Sequence, residues 1–170
     1  MHRLILMRHA KAEPGSPSGD DHDRPLAAAG RTAALAMGRG LAARRLRPDL
    51  VLVSTAARTR QTWDLVQDAF GDVDVRLERD LYNASAAAIR RLVEAEEEAA
   101  GCLLVMAHNP GVHLLAVEYL TESAASPGVL DRLAGGFPTG AAALFEVDAA
   151  GRCRYDGFVT PRDLGAGADE

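Results

Sequence analysis

An arginine and a histidine stand side by side at the end of a short apolar segment near the start of the chain. The segment is Leu4-Ile5-Leu6-Met7, and Arg8 and His9 follow it directly. An apolar run of this length is typical of a strand buried on both faces, as in the interior of a parallel sheet. Ligands of open α/β sheets bind just beyond the carboxyl ends of such strands, so Arg8 and His9 lie where chemistry is expected.

Two further apolar segments end in residues of the same chemical character. The segment 50–53 is followed by Ser54, and Arg58 comes four residues after that serine. The segment 102–107 is followed by His108. Because the carboxyl ends of parallel strands share one sheet edge, we expect two arginines and two histidines to meet there. Any one of them could be an ordinary surface or partly buried side chain, but their joint placement indicates a site.

Two guanidinium groups and two imidazoles suit a tetrahedral oxyanion better than a metal ion. Guanidinium forks bind phosphate oxygens in pairs, and helix N-termini after Ser54 and Asn109 would add backbone N–H donors. Arginines would repel a divalent cation, and the sequence has no HxH or HxxxH pair to hold one. With phosphate as the ligand, a neutral imidazole is the natural nucleophile near pH 7. We therefore expect no metal and no other cofactor.

Three motifs extend over much of the chain. The first is Leu6-Met7-Arg8-His9-Ala10-Lys11-Ala12-Glu13, with Arg24-Pro25-Leu26 and Gly30 after it. The second is the segment 54–62, and the third is Ala107-His108-Asn109-Pro110-Gly111. Together they resemble the histidine phosphatase superfamily, whose signature is Arg-His-Gly or Arg-His-Ala, and within it the small SixA-type phosphohistidine phosphatases. The similarity covers Leu4 to about Phe158.

The resemblance implies a role for each residue of the expected site. His9 would take the phosphoryl group, and the phosphoryl oxygens would be bound by Arg8, Arg58 and His108. The resemblance also implies three further substrate-binding residues: Asn109, Thr139 and Gly140. For Asn109 a second interpretation stays open, in which its side chain only caps the following helix.

The residue that would protonate the leaving group is not evident. Members of the family usually supply a carboxylic acid after the third strand, where this chain offers Glu78 and Asp80. Neither aligns cleanly with the usual glutamate, and a solvent-exposed charge explains either one equally well. A missing acid favours phosphohistidine as substrate, because imidazole is a better leaving group than an alkoxide. The short chain also leaves little room for the insertions that enclose small substrates in larger members.

Three functions stay open at this point. The first is a phosphohistidine phosphatase that acts on a protein partner through a phospho-His9 intermediate. The second is a phosphomonoesterase for a small metabolite or a phosphoprotein ester, with Asp80 or Glu78 as the acid. The third is a non-catalytic module that only binds phosphohistidine. The nucleophile and its three oxygen-binding partners favour an enzyme, and the missing acid favours the first function.

The elements that must position these residues follow from the apolar pattern. Short apolar runs alternate with segments of helical spacing, which predicts a three-layer α/β/α sandwich with a mainly parallel sheet, and the resemblance implies a phosphoglycerate-mutase-like arrangement. The predicted strands are 4–7, 50–53, 73–77, 102–107, 141–147 and 153–159. The predicted helices are 27–46, one beginning after residue 54 or 55, 85–100, and 109 to about 120. Segment 14–23 is a loop close to His9, and 121–136 is a mixed connection.

Helix starts are predicted from residue type. Ser54 or Thr55 can cap the second helix, and Asn109 is a natural N-cap with Pro110 at the first helical position. The chain departs from the family pattern at Ala27, where a threonine often caps the first helix. We expect this departure to lower stability and to leave activity intact.

Composition limits the class of protein. The chain has 170 residues, a net charge of −5, 48% hydrophobic and 25% charged residues, which suits one globular domain. We assign that domain to residues 1–160 and a flexible tail to 161–170. The acidic balance argues against nucleic acid as a partner. No segment has membrane-spanning length, the start shows no signal-peptide pattern, and two distant cysteines do not make a disulfide framework, so we expect a cytoplasmic protein.

Overall fold

Four parallel strands and one antiparallel hairpin form a six-stranded sheet in the computed structural model, which describes residues 1–167. The strands are β1 (Arg3–Arg8), β2 (Leu50–Ser54), β3 (Asp74–Glu78), β4 (Cys102–Ala107), β5 (Ala142–Val147) and β6 (Cys153–Val159). Their order across the sheet is β3-β2-β4-β1-β5-β6. β1 pairs in parallel with β4, β4 with β2, and β2 with β3, whereas β5 runs antiparallel to both β1 and β6. The prediction of a mainly parallel sheet is confirmed.

The three strands that lead to the expected site lie inside the sheet. All residues of β2 and β4 are buried, as are the four apolar residues of β1. This burial explains their unbroken apolar sequences, because both faces of each strand are covered. β3 lies at the edge, where apolar and charged residues alternate and Leu77 is 56% exposed. Because β4 pairs in parallel with both β1 and β2, the carboxyl ends of these three strands meet at one edge of the sheet.

Helices cover both faces of the sheet. They are α1 (Ala28–Ala43), α2 (Ala57–Gln67), α3 (Ala86–Ala95), α4 (Gly111–Glu122) and α5 (Pro127–Ala134). On one face, Met37 of α1 and Trp63 of α2 belong to a core that includes Ile5. On the other face, α3, α4 and α5 contribute to a second core, which includes Leu4 of the same strand. The three-layer α/β/α sandwich is confirmed.

Two glycines allow α1 to pack closely against its neighbours. A Cβ atom at Gly30 would lie 2.1 Å from the carbonyl oxygen of Lys11, and one at Gly38 would lie 2.6 Å from that of Val66. Both contacts are far below van der Waals distance and involve backbone atoms. Glycine weakens the helix intrinsically, but at these positions it brings α1 against α2 and against the segment that follows β1.

The start of α4 differs from the prediction. We expected Asn109 as the N-cap, but the helix begins at Gly111 and its N-cap is Pro110, without a side-chain hydrogen bond. The amide of Asn109 instead donates to the carbonyl oxygen of Phe137 at 3.0 Å. A tertiary hydrogen bond has thus taken the side chain that would otherwise have capped the helix.

The start of α2 differs in a similar way. Its N-cap is Ala56, with no side-chain hydrogen bond, so the prediction of Ser54 or Thr55 as the cap is wrong. Ser54 is still paired in β2, and its hydroxyl lies 2.7 Å from Nε2 of His108. At α1 the N-cap is Ala27, which makes no side-chain hydrogen bond, and the expected loss of stability stays a prediction.

The region between β4 and β5 contains a helix that the sequence analysis treated as part of a mixed connection. α5 follows Ser126, has Pro127 in its first turn and buries Leu133. Proline in the first turn is a recognised helix signal, but eight residues with one buried side chain give too weak a periodicity to predict a helix.

The last described residues pack against the domain. Residues 162–164 form a short 3-10 helix, and Asp163 pairs with Arg132 of α5 at 3.1 Å. The final part of the predicted tail, 168–170, lies outside the described residues. Within residues 1–167, no helix combines the length and the apolar composition needed to cross a lipid bilayer.

Candidate active site

His9 is fixed by backbone hydrogen bonds just beyond the end of β1. Its N–H donates to the carbonyl oxygen of Ala107 at 3.2 Å, and its own carbonyl oxygen accepts from the N–H of Gly140 at 2.8 Å. The Nδ1 atom of the ring lies 2.7 Å from the carbonyl oxygen of Ala10. Because a carbonyl oxygen only accepts, Nδ1 carries the proton. The lone pair of the neutral ring is therefore on Nε2.

The surroundings of His9 keep its ring uncharged. Burial lowers the pKa of His9 to about 4; the Ala10 carbonyl opposes this shift, and the positive charges of Arg8 and Arg58 add to it. The residue is only 8% exposed. At neutral pH the imidazole is thus unprotonated on Nε2, which is the state that a nucleophile requires.

His108 approaches His9 from the end of β4. The two ring centroids are 5.3 Å apart, and Nε2 of His108 shares a hydrogen bond with the Ser54 hydroxyl. Burial lowers the pKa of His108 to about 3, with further contributions from His9 and Arg58. Nδ1 of His108 is buried and has no hydrogen-bond partner among residues 1–167. A polar atom in this position is suited to a ligand, because an unsatisfied buried nitrogen is costly.

Arg58 enters the site from the first turn of α2. It is 6% exposed. Nη1 donates to the backbone oxygen of Asp21 at 2.8 Å, and Nη2 donates to the carboxylate of the same residue at 3.1 Å. The guanidinium also lies 5.9 Å from the centre of the Tyr82 ring. Charge and burial together make Arg58 a strong candidate for oxyanion binding.

Arg8 and Asn109 converge on one backbone oxygen. Nη1 of Arg8 donates to the carbonyl of Phe137 at 2.9 Å, and the Asn109 amide donates to the same atom. Gly140 has a φ of +78°, and its N–H donates to the carbonyl oxygen of His9, so this glycine helps to fix the position of His9. Thr139 lines a neighbouring cavity of about 470 Å³. The structure thus brings Asn109 and Gly140 to the site and places Thr139 beside it.

The two candidate acids are not joined to this cluster. Glu78 is half-buried at the end of β3, and Asp80 is exposed in the short 3-10 helix 79–81. Within residues 1–167, no hydrogen bond or ion pair links either carboxylate to the arginines and histidines of the site: Arg8, His9, Arg58 and His108. Asp80 instead lines a separate hollow with Asn83 and Arg91.

A carboxylate that the sequence analysis did not single out occupies the site. Asp21 lies in the loop 14–24, which we call the site loop. Its carboxylate accepts hydrogen bonds from Tyr82 at 2.6 Å, Arg24 at 2.9 Å and Arg58 at 3.1 Å. These hydrogen bonds, that of Tyr82 first, hold the pKa of Asp21 well below its usual range. The closeness of the loop to His9 in sequence was the only available signal, and it could not distinguish Asp21 from the two other aspartates of the loop, Asp20 and Asp23.

The site loop makes a second contact with the strand ends. Nε2 of His22 lies 2.9 Å from the Thr55 hydroxyl, and its ring meets the Tyr82 ring edge-on at 4.8 Å. These contacts leave the side chain of His22 half-buried. The contact between His22 and Thr55 joins residues that are 33 positions apart in the sequence, so no local pattern predicts it.

The complete arrangement is an anion site. Arg8, Arg24 and Arg58 bring three guanidinium groups, which outnumber the single carboxylate of Asp21. Residues 1–167 contain no group of three or more His, Cys, Asp or Glu side chains placed to hold a metal ion. A tetrahedral oxyanion next to Nε2 of His9 would meet donors from three separate elements, which matches the needs of phosphoryl transfer.

Comparisons with known proteins agree with this chemistry. A model of the histidine phosphatase superfamily (branch 1) matches residues 4–110. The uncharacterized protein Rv1276c of Mycobacterium tuberculosis is 35% identical over 142 residues, which cover 83% of this chain and 87% of that protein. The chain therefore belongs to the histidine phosphatase superfamily.

Solved structures add detail within this family. A candidate phosphohistidine phosphatase SixA from Agrobacterium tumefaciens is 34% identical, with a TM-score of 0.83 over 94% of this chain and 98% of that one. A second candidate SixA, from Nakamurella multipartitia, is 31% identical with a TM-score of 0.82 over 94% and 96% of the two chains. A protein histidine phosphatase SixA complexed with tungstate shares the fold, with a TM-score of 0.79 and 24% identity over 95% and 99%. The chain is thus a SixA-like member with a phosphoglycerate-mutase-like fold, and its family supports phosphatase activity.

Proposed function

We propose that the protein is a phosphohistidine phosphatase in which Nε2 of His9 attacks the phosphorus atom. The observation that carries this proposal is the hydrogen bond between Nδ1 of His9 and the Ala10 carbonyl, which directs the lone pair to Nε2. In the first step the Nε2–P bond forms, the bond from phosphorus to the substrate nitrogen breaks, and the leaving imidazole takes a proton from solvent water. In the second step water attacks phosphorus, which releases inorganic phosphate and free His9.

The charge of the transferred group is matched by the residues around His9. Arg8, Arg58 and His108 are proposed to bind the phosphoryl oxygens, as the family resemblance implies. Stabilisation by fixed donors is the main source of rate enhancement in phosphoryl transfer. Asn109 is proposed to support the site through the Phe137 carbonyl that it shares with Arg8. Gly140 is proposed to fix the His9 backbone, and Thr139 to contact the part of the substrate that extends beyond the phosphoryl group.

The choice of phosphohistidine in a protein partner rests on the leaving group. In the part of the chain that the structure describes, neither Glu78 nor Asp80 is hydrogen-bonded or ion-paired to the cluster, and the carboxylate of Asp21 accepts from three donors. An alkoxide would need a proton from such a group, whereas imidazole is a better leaving group. The similarity to two candidate SixA phosphohistidine phosphatases supports the same substrate class.

Rapid-quench kinetics with a phosphohistidine peptide labelled in the phosphoryl group tests the mechanism. The wild-type protein should form an acid-labile phosphoenzyme within the first turnover, and His9→Ala should form none. His2→Ala, which changes an exposed histidine, is the matched control and should behave as the wild type. Wild-type turnover in His9→Ala would disprove the mechanism.

A substrate panel separates this proposal from its two alternatives. We expect a higher kcat/KM on the phosphohistidine peptide than on phosphate esters of small metabolites or phosphoserine peptides. Faster ester turnover that falls sharply in Glu78→Gln or Asp80→Asn would establish a phosphomonoesterase instead. Binding of the peptide without turnover of any phosphate compound would establish a binding module.

A further inference from the structure

Asp21 connects three elements around the site through its carboxylate and carbonyl groups. Oδ2 accepts from the Tyr82 hydroxyl at 2.6 Å and from Nη2 of Arg58 at 3.1 Å, and Oδ1 accepts from Nη1 of Arg24 at 2.9 Å. The backbone oxygen of Asp21 accepts from Nη1 of Arg58 at 2.8 Å. One residue of the site loop therefore contacts α2, the segment after β3 and the end of its own loop.

The two bonds to Arg58 fix the plane of its guanidinium group. A guanidinium has five N–H donors in a rigid fork, and Asp21 uses two of them through two different oxygens. Restraint at two points limits rotation of the guanidinium and leaves its other N–H donors for an anion. An arginine that is oriented before the anion arrives does not lose that freedom on binding, which improves affinity for the anion.

The charge of Asp21 also allows the arginines to stand together. Arg24 and Arg58 both donate to this carboxylate, and Arg8 lies in the same site beside His9. Without a negative charge between them, the guanidinium groups of Arg24 and Arg58 would repel each other. The carboxylate of Asp21 is half exposed while Arg58 is buried, so Asp21 shields Arg58 from the solvent side.

We propose that Asp21 is a positioning residue, which holds Arg58 in the orientation that binds the substrate oxyanion and which ties the site loop over the anion site. The inference deepens the proposed function and rests on its assignment of an oxyanion to Arg58. Asp21 itself neither attacks phosphorus nor donates a proton in this scheme. Its effect on the anion passes through the guanidinium of Arg58.

Binding of orthovanadate, measured by isothermal titration calorimetry, tests the proposal without any substrate. Asp21→Asn should bind orthovanadate about tenfold more weakly than the wild type, because a charge-assisted hydrogen bond to Arg58 is lost. Asp21→Glu, which keeps the charge, should recover part of the affinity. Asp20→Asn is the matched control, since it removes an exposed carboxylate from the same loop, and it should bind as the wild type.

A double-mutant cycle shows whether Asp21 acts through Arg58. In an Arg58→Gln background the Asp21→Asn change should have less than about a twofold further effect, because no guanidinium is left to orient. An equal loss in both backgrounds would indicate a general structural role and would overturn the proposal. Tighter orthovanadate binding by Asp21→Asn would show that Asp21 competes with the anion, and this would overturn it as well.

Two further measurements keep the outcomes separate. If circular dichroism shows that Asp21→Asn does not fold, Tyr82→Phe replaces it as the test variant, because it removes only one donor to Asp21. Tyr82→Phe should weaken orthovanadate binding about threefold. Unchanged affinity for orthovanadate in both Tyr82→Phe and Asp21→Glu would count against the proposal. If the wild type turns over no phosphate compound and Asp21→Asn still weakens orthovanadate binding, the proposed function fails and the role of Asp21 stands. If the wild type turns over the phosphohistidine peptide and Asp21→Asn binds orthovanadate as tightly as Asp20→Asn does, the proposed role of Asp21 fails and the proposed function stands.

Discussion

The strand ends and the site loop surround the same anion site but are held in different ways. His9 and Arg8 are fixed by backbone hydrogen bonds that continue the sheet, to Ala107, Gly140 and Ala141. The site loop is held mainly by side chains, through Asp21 and His22. Backbone pairing tolerates changes of side-chain charge, whereas ion pairs at a partly exposed loop depend on every partner. The position of His9 should therefore tolerate substitutions nearby, whereas the position of the site loop should respond to them.

The largest effect should come from Arg58, where the two regions meet. Arg58→Met removes a buried oxyanion donor, and kcat/KM on the phosphohistidine peptide should fall about 10²–10³-fold. Arg60→Met changes an exposed arginine of the same helix and serves as the control. Steady-state kinetics of both variants make the measurement. A loss below about tenfold in Arg58→Met would mean that the strand ends bind the anion without this helix.

The interior of the strands should affect stability more than chemistry. Leu104→Ala truncates a fully buried side chain in the middle of β4, and the free energy of unfolding should fall by about 2–5 kcal/mol. Leu77→Ala at the exposed edge should change it by less than about 0.5 kcal/mol. Urea denaturation gives both values. If kcat/KM of folded Leu104→Ala falls as far as in Arg58→Met, the strands do not hold the site independently of the packing beneath it.

Low pH should lower the free energy of unfolding, because the strand ends carry two buried histidines. The pKa values of His9 and His108 are about 4 and about 3 in the folded protein, against 6.5 for an ordinary histidine. As the pH falls from 6.5 towards 4, the unfolded chain therefore binds protons that the folded protein excludes, and stability falls. We expect a loss of about 1–2 kcal/mol per histidine at pH 5. Urea denaturation at pH 7 and 5 checks this, and an identical loss in His108→Asn would contradict it.

A smaller effect is expected from the outer part of the site loop. Arg24 donates to the Asp21 carboxylate and, through Nε, to the carbonyl oxygen of Glu13 at 2.8 Å. Arg24→Met should lower kcat/KM about threefold, because Asp21 keeps Tyr82 and Arg58 as partners. Amide hydrogen exchange should also become faster over residues 14–24. Arg31→Met, an exposed arginine of α1, is the control, and equal exchange rates in the two variants would show that the ion pair does not hold the loop.

The smallest effect is expected where the loop joins α1. Ala27→Thr supplies a side-chain oxygen at an N-cap that now has none, and should raise the free energy of unfolding by about 0.5–1 kcal/mol. Ala28→Thr, one residue into the helix, should bring no such gain. Thermal denaturation measures both variants. A change in kcat/KM of Ala27→Thr would show that the helix start is coupled to the site, against the expectation that it affects stability alone.

Much of the fold was predictable because burial leaves a direct mark on sequence. The central strands read as unbroken apolar runs since both of their faces are covered, and the edge strand β3 alternates since one face is open. α5 was missed because one buried leucine in eight residues gives no usable period. The caps at Ser54 and Asn109 were wrong because both side chains make hydrogen bonds to distant residues, His108 and Phe137.

The sequence by itself determined which residues end the central strands, and with them the cluster of Arg8, His9, Arg58 and His108 at one sheet edge. That follows from strand register, which places consecutive parallel ends side by side. Only the tertiary structure decided which nitrogen of His9 carries the proton, and that Asp21 rather than Glu78 or Asp80 is the carboxylate in contact with the site. Such contacts join residues far apart in the chain, as Asp21 and Tyr82 are, so their partners are set by the folded geometry and not by any local spacing.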